Sequence, residues 1–233
     1  MIAGMAVLVP TRGRPGNAVR LAKAVDELSG REMAALYFLV DPGEPLYADY
    51  QRQLDEAAPW AYLVRVAASP QRIGPILNKS APALAERYSH VAFMGDDHLP
   101  RTGRWDEQLV SSLGGRPGVA YGNDLWQGEN LPTMAVLSSE LVRGLGFFAP
   151  PALEHLYLDD FWRMLGHSVG NLAYRSDVII EHLHPMAGKA SYDPGYQEVN
   201  SDSQKLRDGE EFARYRNLQW ATDLRRLKEY LGE

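Results

Sequence analysis

Val91-Ala92-Phe93-Met94-Gly95-Asp96-Asp97-His98-Leu99-Pro100 decides how the chain is read, because an apolar run leads straight into two adjacent carboxylates and an imidazole. Val91–Met94 has the composition of a buried strand, so the acids fall where it ends. In an open α/β sheet, ligands bind beyond the carboxyl ends of the strands, where such acids suit a divalent cation and a phosphorylated ligand. The competing reading is a solvated turn closed by Pro100.

The preceding sequence supplies the sheet that the first reading needs. Met5–Pro10 reads as a buried strand running into Thr11-Arg12-Gly13-Arg14-Pro15-Gly16-Asn17. From Asn17, the apolar residues Val19, Leu21, Ala22, Val25 and Leu28 follow helical spacing until Ser29-Gly30 stops them. Ala34–Val40 is a second strand, ending at Asp41-Pro42-Gly43. A helix over Tyr47–Ala57, a strand over 61–66, a loop over Gln71–Pro75 and a helix over Ile76–Tyr88 complete the series. Strands alternating with helices of this length predict βαβ units and a mostly parallel central sheet. The expected architecture is a single α/β domain, with residues 1–100 as its nucleotide-binding half.

Residues 101–203 form the expected acceptor and catalytic half. It holds a helix over Trp105–Leu113, strands over Gly118–Tyr121 and Thr133–Leu137, and a helix over Ser138–Leu145. A further helix opens at Asp159-Asp160, and Val178–Glu181 is a last strand. Residues 186–203 are polar and turn-rich, a candidate lid carrying Lys189, Tyr192, Asp193 and Tyr196. Residues 204–233 read as a C-terminal helical segment, one long helix or a broken one.

A net charge of −6 supplies no general basic field for polyanions, and the absence of cysteine excludes disulfides, thiolate metal sites and cysteine nucleophiles. No apolar run approaches the ~18 residues of a membrane span and no signal-peptide pattern is present, so a cytoplasmic protein is expected. There is no GxxxxGK[ST], GxGxxG or GxSxG, which removes the P-loop, the dinucleotide fingerprint and the serine elbow.

Three constellations carry chemistry. Asp97 and His98 combine with His182 and His184, which share one face of an extended segment, to suit Mn2+ or a similar ion such as Mg2+. Arg12, Arg14, Arg72 and Lys79 supply charge partners for a diphosphate, and Asp41 an acceptor for a base edge. Asp159 and Asp160 open a helix, where one acid can cap it while the other takes a proton from an acceptor hydroxyl.

In this order the residues resemble a glycosyltransferase of the GT-A fold, similar to glycosyltransferase family 2 and its relatives. The resemblance rests on the Pro10-Thr11-Arg12-Gly13-Arg14-Pro15 loop, Asp41, Gly74 with Leu77-Asn78-Lys79, Asp96-Asp97-His98, the Asp159-Asp160 pair before Phe161-Trp162, and His182/His184. It implies that the first loop and Asp41 hold the base of a nucleotide-diphosphate sugar, and that Arg72, Gly74, Asn78 and Lys79 enclose the nucleotide. It further implies Asp96 on the nucleotide, a metal at Asp97 or His98, and Asp160 as the base of an inverting transfer. A UDP-sugar is the expected donor, since an acid after the second strand suits the uracil imide. The acceptor is open among a glycan, a small molecule, a protein and a modified nucleic-acid base, with Trp126, Phe147, Phe148, Trp162, Arg101, Arg104, Arg225 and Arg226 as its candidate contacts. Two other functions fit the same residues: a metal-dependent phosphohydrolase or nucleotidyltransferase, and a GT-A-like binding protein without turnover.

Overall fold

Met5, Val7 and Val9 project to one face of the first strand and Ala6 and Leu8 to the other, and none has exposed surface. A strand apolar on both faces requires cover on both, which fixes a three-layer arrangement around a central sheet. The computed structural model describes residues 2–30, 34–184, 188–189 and 201–233. Its strands are β1 (Ile2–Pro10), β2 (Ala34–Val40), β3 (Tyr62–Arg65), β4 (Tyr88–Phe93), β5 (His98–Pro100), β6 (Val119–Asn123), β7 (Ala135–Ser138) and β8 (Leu172–His182). Its helices are α1 (Pro15–Leu28), α2 (Tyr47–Ala57), α3 (Ile73–Ala85), α4 (Trp105–Ser112), α5 (Ser139–Leu145), α6 (Leu158–Ser168), α7 (Asp202–Leu218) and α8 (Trp220–Leu231).

The strands form one sheet in the order β3-β2-β1-β4-β7-β6-β8-β5. β1 pairs in parallel with β2 and β4, β2 with β3, and β6 with β8, whereas β7 runs antiparallel to β4 and β6, and β5 antiparallel to β8. The mostly parallel sheet expected from the alternation of elements is therefore present. On the Met5 face, Leu21 and Val25 of α1, Tyr50 and Leu54 of α2, and Trp105 and Leu109 of α4 close one core. On the Leu8 face, α3, α5, α6 and the C-terminal helices close the other through Leu77, Leu141, Trp162, Phe212 and Leu227.

Two local expectations are corrected, the starts of β8 and α3, and two open alternatives are decided, at residues 98–100 and in the C-terminal segment. Residues 98–100 are a buried strand rather than a solvated turn, because β8 pairs with them and supplies their ladder. β8 begins at Leu172, six residues before the expected Val178; its first half is only partly buried and carries no clear periodicity. α3 begins at Ile73, so Gly74 and Pro75 lie in its first turn, where proline forfeits no intrahelical bond. The C-terminal segment breaks at Gln219, after which Trp220 packs edge-on to Phe161 at 5.9 Å and α8 runs back over α5.

Gly74 marks a close approach across this fold. Its N–H donates to the Glu154 carbonyl at 2.9 Å, and a Cβ there would lie 2.2 Å from the Leu153 carbonyl oxygen. Gly74→Ala gains about 1 kcal/mol of helix propensity, but overpacking against backbone costs about 1–3 kcal/mol. A clash with backbone cannot be relieved by a rotamer change, so the cost falls at the upper end and the net loss is about 2 kcal/mol, read as a melting temperature lower by roughly 4–8 °C; an unchanged or higher value would contradict the contact.

Candidate metal and nucleotide-sugar site

The site gathers at the carboxyl ends of β1, β2 and β4, beside the junction of β5 with β8. Asp96, 5% exposed, follows β4 and is held from the loop after β1. The Thr11 hydroxyl donates to its Oδ2 at 2.6 Å, Arg14 Nη1 lies 3.4 Å from Oδ1, and Asn17 Nδ2 reaches Oδ1 at 3.5 Å. Since Thr11 gives its proton to Asp96, the Tyr50 hydroxyl, 2.8 Å away, must donate to Thr11; it accepts the Arg14 N–H at 2.7 Å. Burial pushes the Tyr50 phenol up to about 12, so it stays a donor. Burial first, and then the Asp97 charge, raise Asp96 to about 6 against the opposing pull of Arg14, Thr11 and Asn17.

Asp97, His98 and His182 form the one cluster among the described residues able to hold a metal, with candidate ligand atoms within 4.8 Å of one another. The pairing of β5 with β8 places His98 directly opposite His182, and their rings stack with centroids 4.0 Å apart. Asp97 Oδ1 lies 3.2 Å from His98 Nδ1, and its Oδ2 lies 3.5 Å from His182 Nε2. Burial works against the Asp97 charge, but hydrogen bonds from His182 and His98 outweigh it and hold the carboxyl well below its usual range. Burial, then the neighbouring His98, lowers His182 against the pull of Asp97. The other nitrogen of each ring, His98 Nε2 and His182 Nδ1, is buried with no hydrogen-bond partner among the described residues. The nitrogens that do face Asp97, His98 Nδ1 and His182 Nε2, make with its carboxylate a mixed nitrogen-and-oxygen donor set that fits a borderline divalent ion such as Mn2+.

His184 is not in this cluster. Its ring stacks on Trp126 with centroids 4.6 Å apart and meets His182 edge-on at 5.0 Å. Trp126, 38% exposed, is fixed by Asp124, a residue that no sequence motif singled out. Asp124 Oδ1 accepts the N–H groups of Trp126, Gln127 and Gly128 at 2.7–2.9 Å, its Oδ2 accepts the Thr133 hydroxyl at 2.8 Å, and its carbonyl accepts the His182 N–H at 3.0 Å. An acid followed by turn residues was the available signal.

Of the other nucleotide-side candidates, Pro10 ends β1, and Arg12 is exposed in the loop after it. Asp41 Oδ1 accepts the Gly43 N–H at 2.7 Å, and buried Glu44 ties this turn to the Gly13 N–H at 3.1 Å. Arg72 directly precedes α3, and Lys79 borders a cleft of about 380 Å³ with Leu39, Val64 and Arg65. Asn78 braces structure instead: its side chain accepts the N–H groups of Phe148 and Ala149 and donates to the Ala149 carbonyl. Phe148 and Trp162 are core, and Arg101, Arg104 and Arg226 pair with Glu181, Glu107 and Asp223. Lys189 pairs with Glu181 at 3.0 Å. Tyr192, Asp193 and Tyr196, with most of the candidate lid, lie outside the described residues.

Asp159 and Asp160 occupy the first turn of α6, which packs on β6 and β8. Asp159 Oδ1 accepts the Asp160 N–H at 3.0 Å. Burial and then the Asp160 charge raise Asp159 to about 6, while His182 pulls the other way. Burial also raises Asp160, which is opposed by Arg163 and Arg216 rather than by the histidines.

No protein-family profile and no curated protein matches the chain. Solved structures do. A mannosyltransferase from Pyrobaculum calidifontis in complex with GDP-Man and Mn2+ superposes with a TM-score of 0.62 at 14% identity, over 98% of this chain and 74% of that one. S. aureus TarS 1–349 in complex with UDP gives 0.59 at 11%, over 93% and 72%. Glucosyl-3-phosphoglycerate synthase from Mycobacterium tuberculosis, in complex with Mn2+, UDP and glucosyl-3-phosphoglycerate, gives 0.56 at 14%, over 80% and 75%. The chain therefore has the GT-A fold of nucleotide-diphospho-sugar transferases.

Proposed function

We propose that this chain is a metal-dependent glycosyltransferase that moves a sugar from a UDP-sugar to a hydroxyl acceptor with inversion. The observation that carries the reading is the cluster of the Asp97 carboxylate with His98 Nδ1 and His182 Nε2, set beside an Asp96 already fixed by Thr11 and Arg14. The GT-A fold, shared with proteins crystallised with nucleotide sugars and Mn2+, supports it.

In this reading Thr11, Arg14, Asn17 and Tyr50 keep Asp96 aimed at the nucleotide, and Arg12 and Arg72 lie toward the diphosphate. Asp41 has its Oδ2 without a hydrogen bond among the described residues, which suits an acceptor for the uracil N–H. Asp97, His98 and His182 would hold a divalent cation, which supplies charge neutralisation at the leaving diphosphate. The acid pair supplies the base. Sequence order favours Asp160 for that role, whereas the electrostatics favour Asp159, which senses His182 and titrates close to working pH. The base takes the acceptor proton as its oxygen attacks the anomeric carbon opposite the departing diphosphate, and that direction of attack inverts the anomeric centre.

Thermal shift tests the donor site. UDP with Mn2+ at about 100 times its dissociation constant should stabilise the fold by about 2.7 kcal/mol, or roughly 5–11 °C, and His182→Ala should remove the shift. No stabilisation by UDP or GDP with Mn2+, Mg2+ or neither would overturn the reading. Products then separate transfer from hydrolysis: a glycosylated acceptor is expected, and free sugar or pyrophosphate alone across a broad acceptor panel favours a phosphohydrolase or nucleotidyltransferase.

The acid pair sets the pH profile. A carboxyl raised to about 6 is protonated below that pH and cannot accept a proton, so turnover should rise with pH through about 6 and level off above it. Asp159→Asn should cut turnover by roughly 10²–10⁴-fold and abolish that limb. If Asp160→Asn does so while Asp159→Asn stays active, the base is Asp160.

A further inference from the structure

Asp208 of α7 is fully buried, yet among the described residues its partners are backbone N–H groups rather than a cation. Its Oδ2 accepts the N–H groups of His155 at 2.9 Å and Leu156 at 2.8 Å, and its Oδ1 faces the Glu154 N–H at 3.4 Å. The neighbouring α7 residues grip the same segment. Arg207 pairs with Glu154, Gly209 leaves room where a Cβ would approach the Tyr157 hydroxyl to 3.1 Å, and Phe212 stacks on the Tyr157 ring at 5.7 Å. From the opposite side, Gly74 donates to the Glu154 carbonyl.

The clamped residues lead directly into the acid pair. Tyr157 has φ of +63°, a state bulky residues rarely occupy, and its carbonyl accepts the Phe161 N–H at 3.1 Å to start α6. A backbone held in that state fixes where α6 starts and hence the direction of Asp159 and Asp160. We propose that Asp208 is a positioning residue for this acid pair, acting through the Glu154–Tyr157 backbone. Its catalytic consequence rests on the reading of the pair as the source of the base; the clamp itself does not.

Hydrogen exchange by mass spectrometry on the full chain, with Asp208→Asn, Asp208→Ala and the exposed control Glu210→Gln, tests it. Amides in 153–161 should exchange at least about tenfold faster in Asp208→Ala, by a smaller factor in Asp208→Asn, and as in the wild type in Glu210→Gln, with the rest of the sheet unchanged. Mn2+-supported hydrolysis of UDP-glucose should lose kcat in the same order with donor KM unaltered. Unaltered exchange in 153–161, uniform acceleration along the chain, or faster local exchange with unchanged kcat would each overturn the proposal. If Asp208→Ala does not fold, Arg207→Ala releases Glu154 alone and should accelerate the same window less. If the wild type binds no nucleotide, the proposed transferase activity fails, and the exchange pattern alone decides the clamp.

Discussion

The pairing of β5 with β8 in one register is the constraint on which the rest of the site depends. His98 stands opposite His182, and the two imidazoles stack at 4.0 Å with Asp97 against both. Because side chains alternate across a strand, a slip of one residue would send one imidazole to the opposite face and dissolve the cluster. Further bonds lock the register. The His182 N–H donates to the Asp124 carbonyl, Leu183 N–H to the Asp97 carbonyl, and Arg101 N–H to the Ile179 carbonyl. Two residues more than eighty positions apart thus share one small volume through backbone hydrogen bonding.

The two halves of the molecule meet at that volume and again at the segment ahead of α6. Gly74, in the first turn of the helix after Arg72, abuts Leu153 and Glu154, while Asp208 and Arg207 hold the far side of the same segment. A shift of α7 would therefore reach the segment that leads into Asp159 and Asp160. Burying a carboxylate such as Asp208 is costly unless its oxygens are satisfied, and here backbone N–H groups satisfy them.

Much of the fold was legible in the sequence because buried strands of a parallel sheet are written as continuous apolar runs. Ala34–Val40 and Tyr47–Ala57 coincide with β2 and α2, and the change from one to the other is a change of period. Asp96, Asp97, His98 and His182 stood out because two acids and an imidazole after one apolar run were matched by a second imidazole cluster at the end of another. β5 was hidden by its three-residue length and by Pro100, and the first half of β8 by a mixed, half-exposed composition. Asp208 was not legible, because an acid within a helix that works by accepting backbone N–H groups carries no spacing signal, and the acid-before-turn signal of Asp124 is shared by many ordinary turns. Asn78 shows the converse: a residue placed on the nucleotide by motif is committed by both ends of its amide to Phe148 and Ala149. His184 likewise follows the two-residue spacing of His182 but turns to Trp126.

The central claim is that strand pairing builds a nitrogen-and-oxygen metal site from His98, His182 and Asp97. Pulsed electron paramagnetic resonance of Mn2+ bound to the chain reads this directly, since a coordinated imidazole nitrogen modulates the echo. The account predicts modulation from two imidazoles in the wild type, reduced to one in His98→Ala and in His182→Ala alike, and untouched in His184→Ala. A bound ion with oxygen ligands only, or a signal that His184→Ala weakens while His98→Ala leaves it intact, would contradict it.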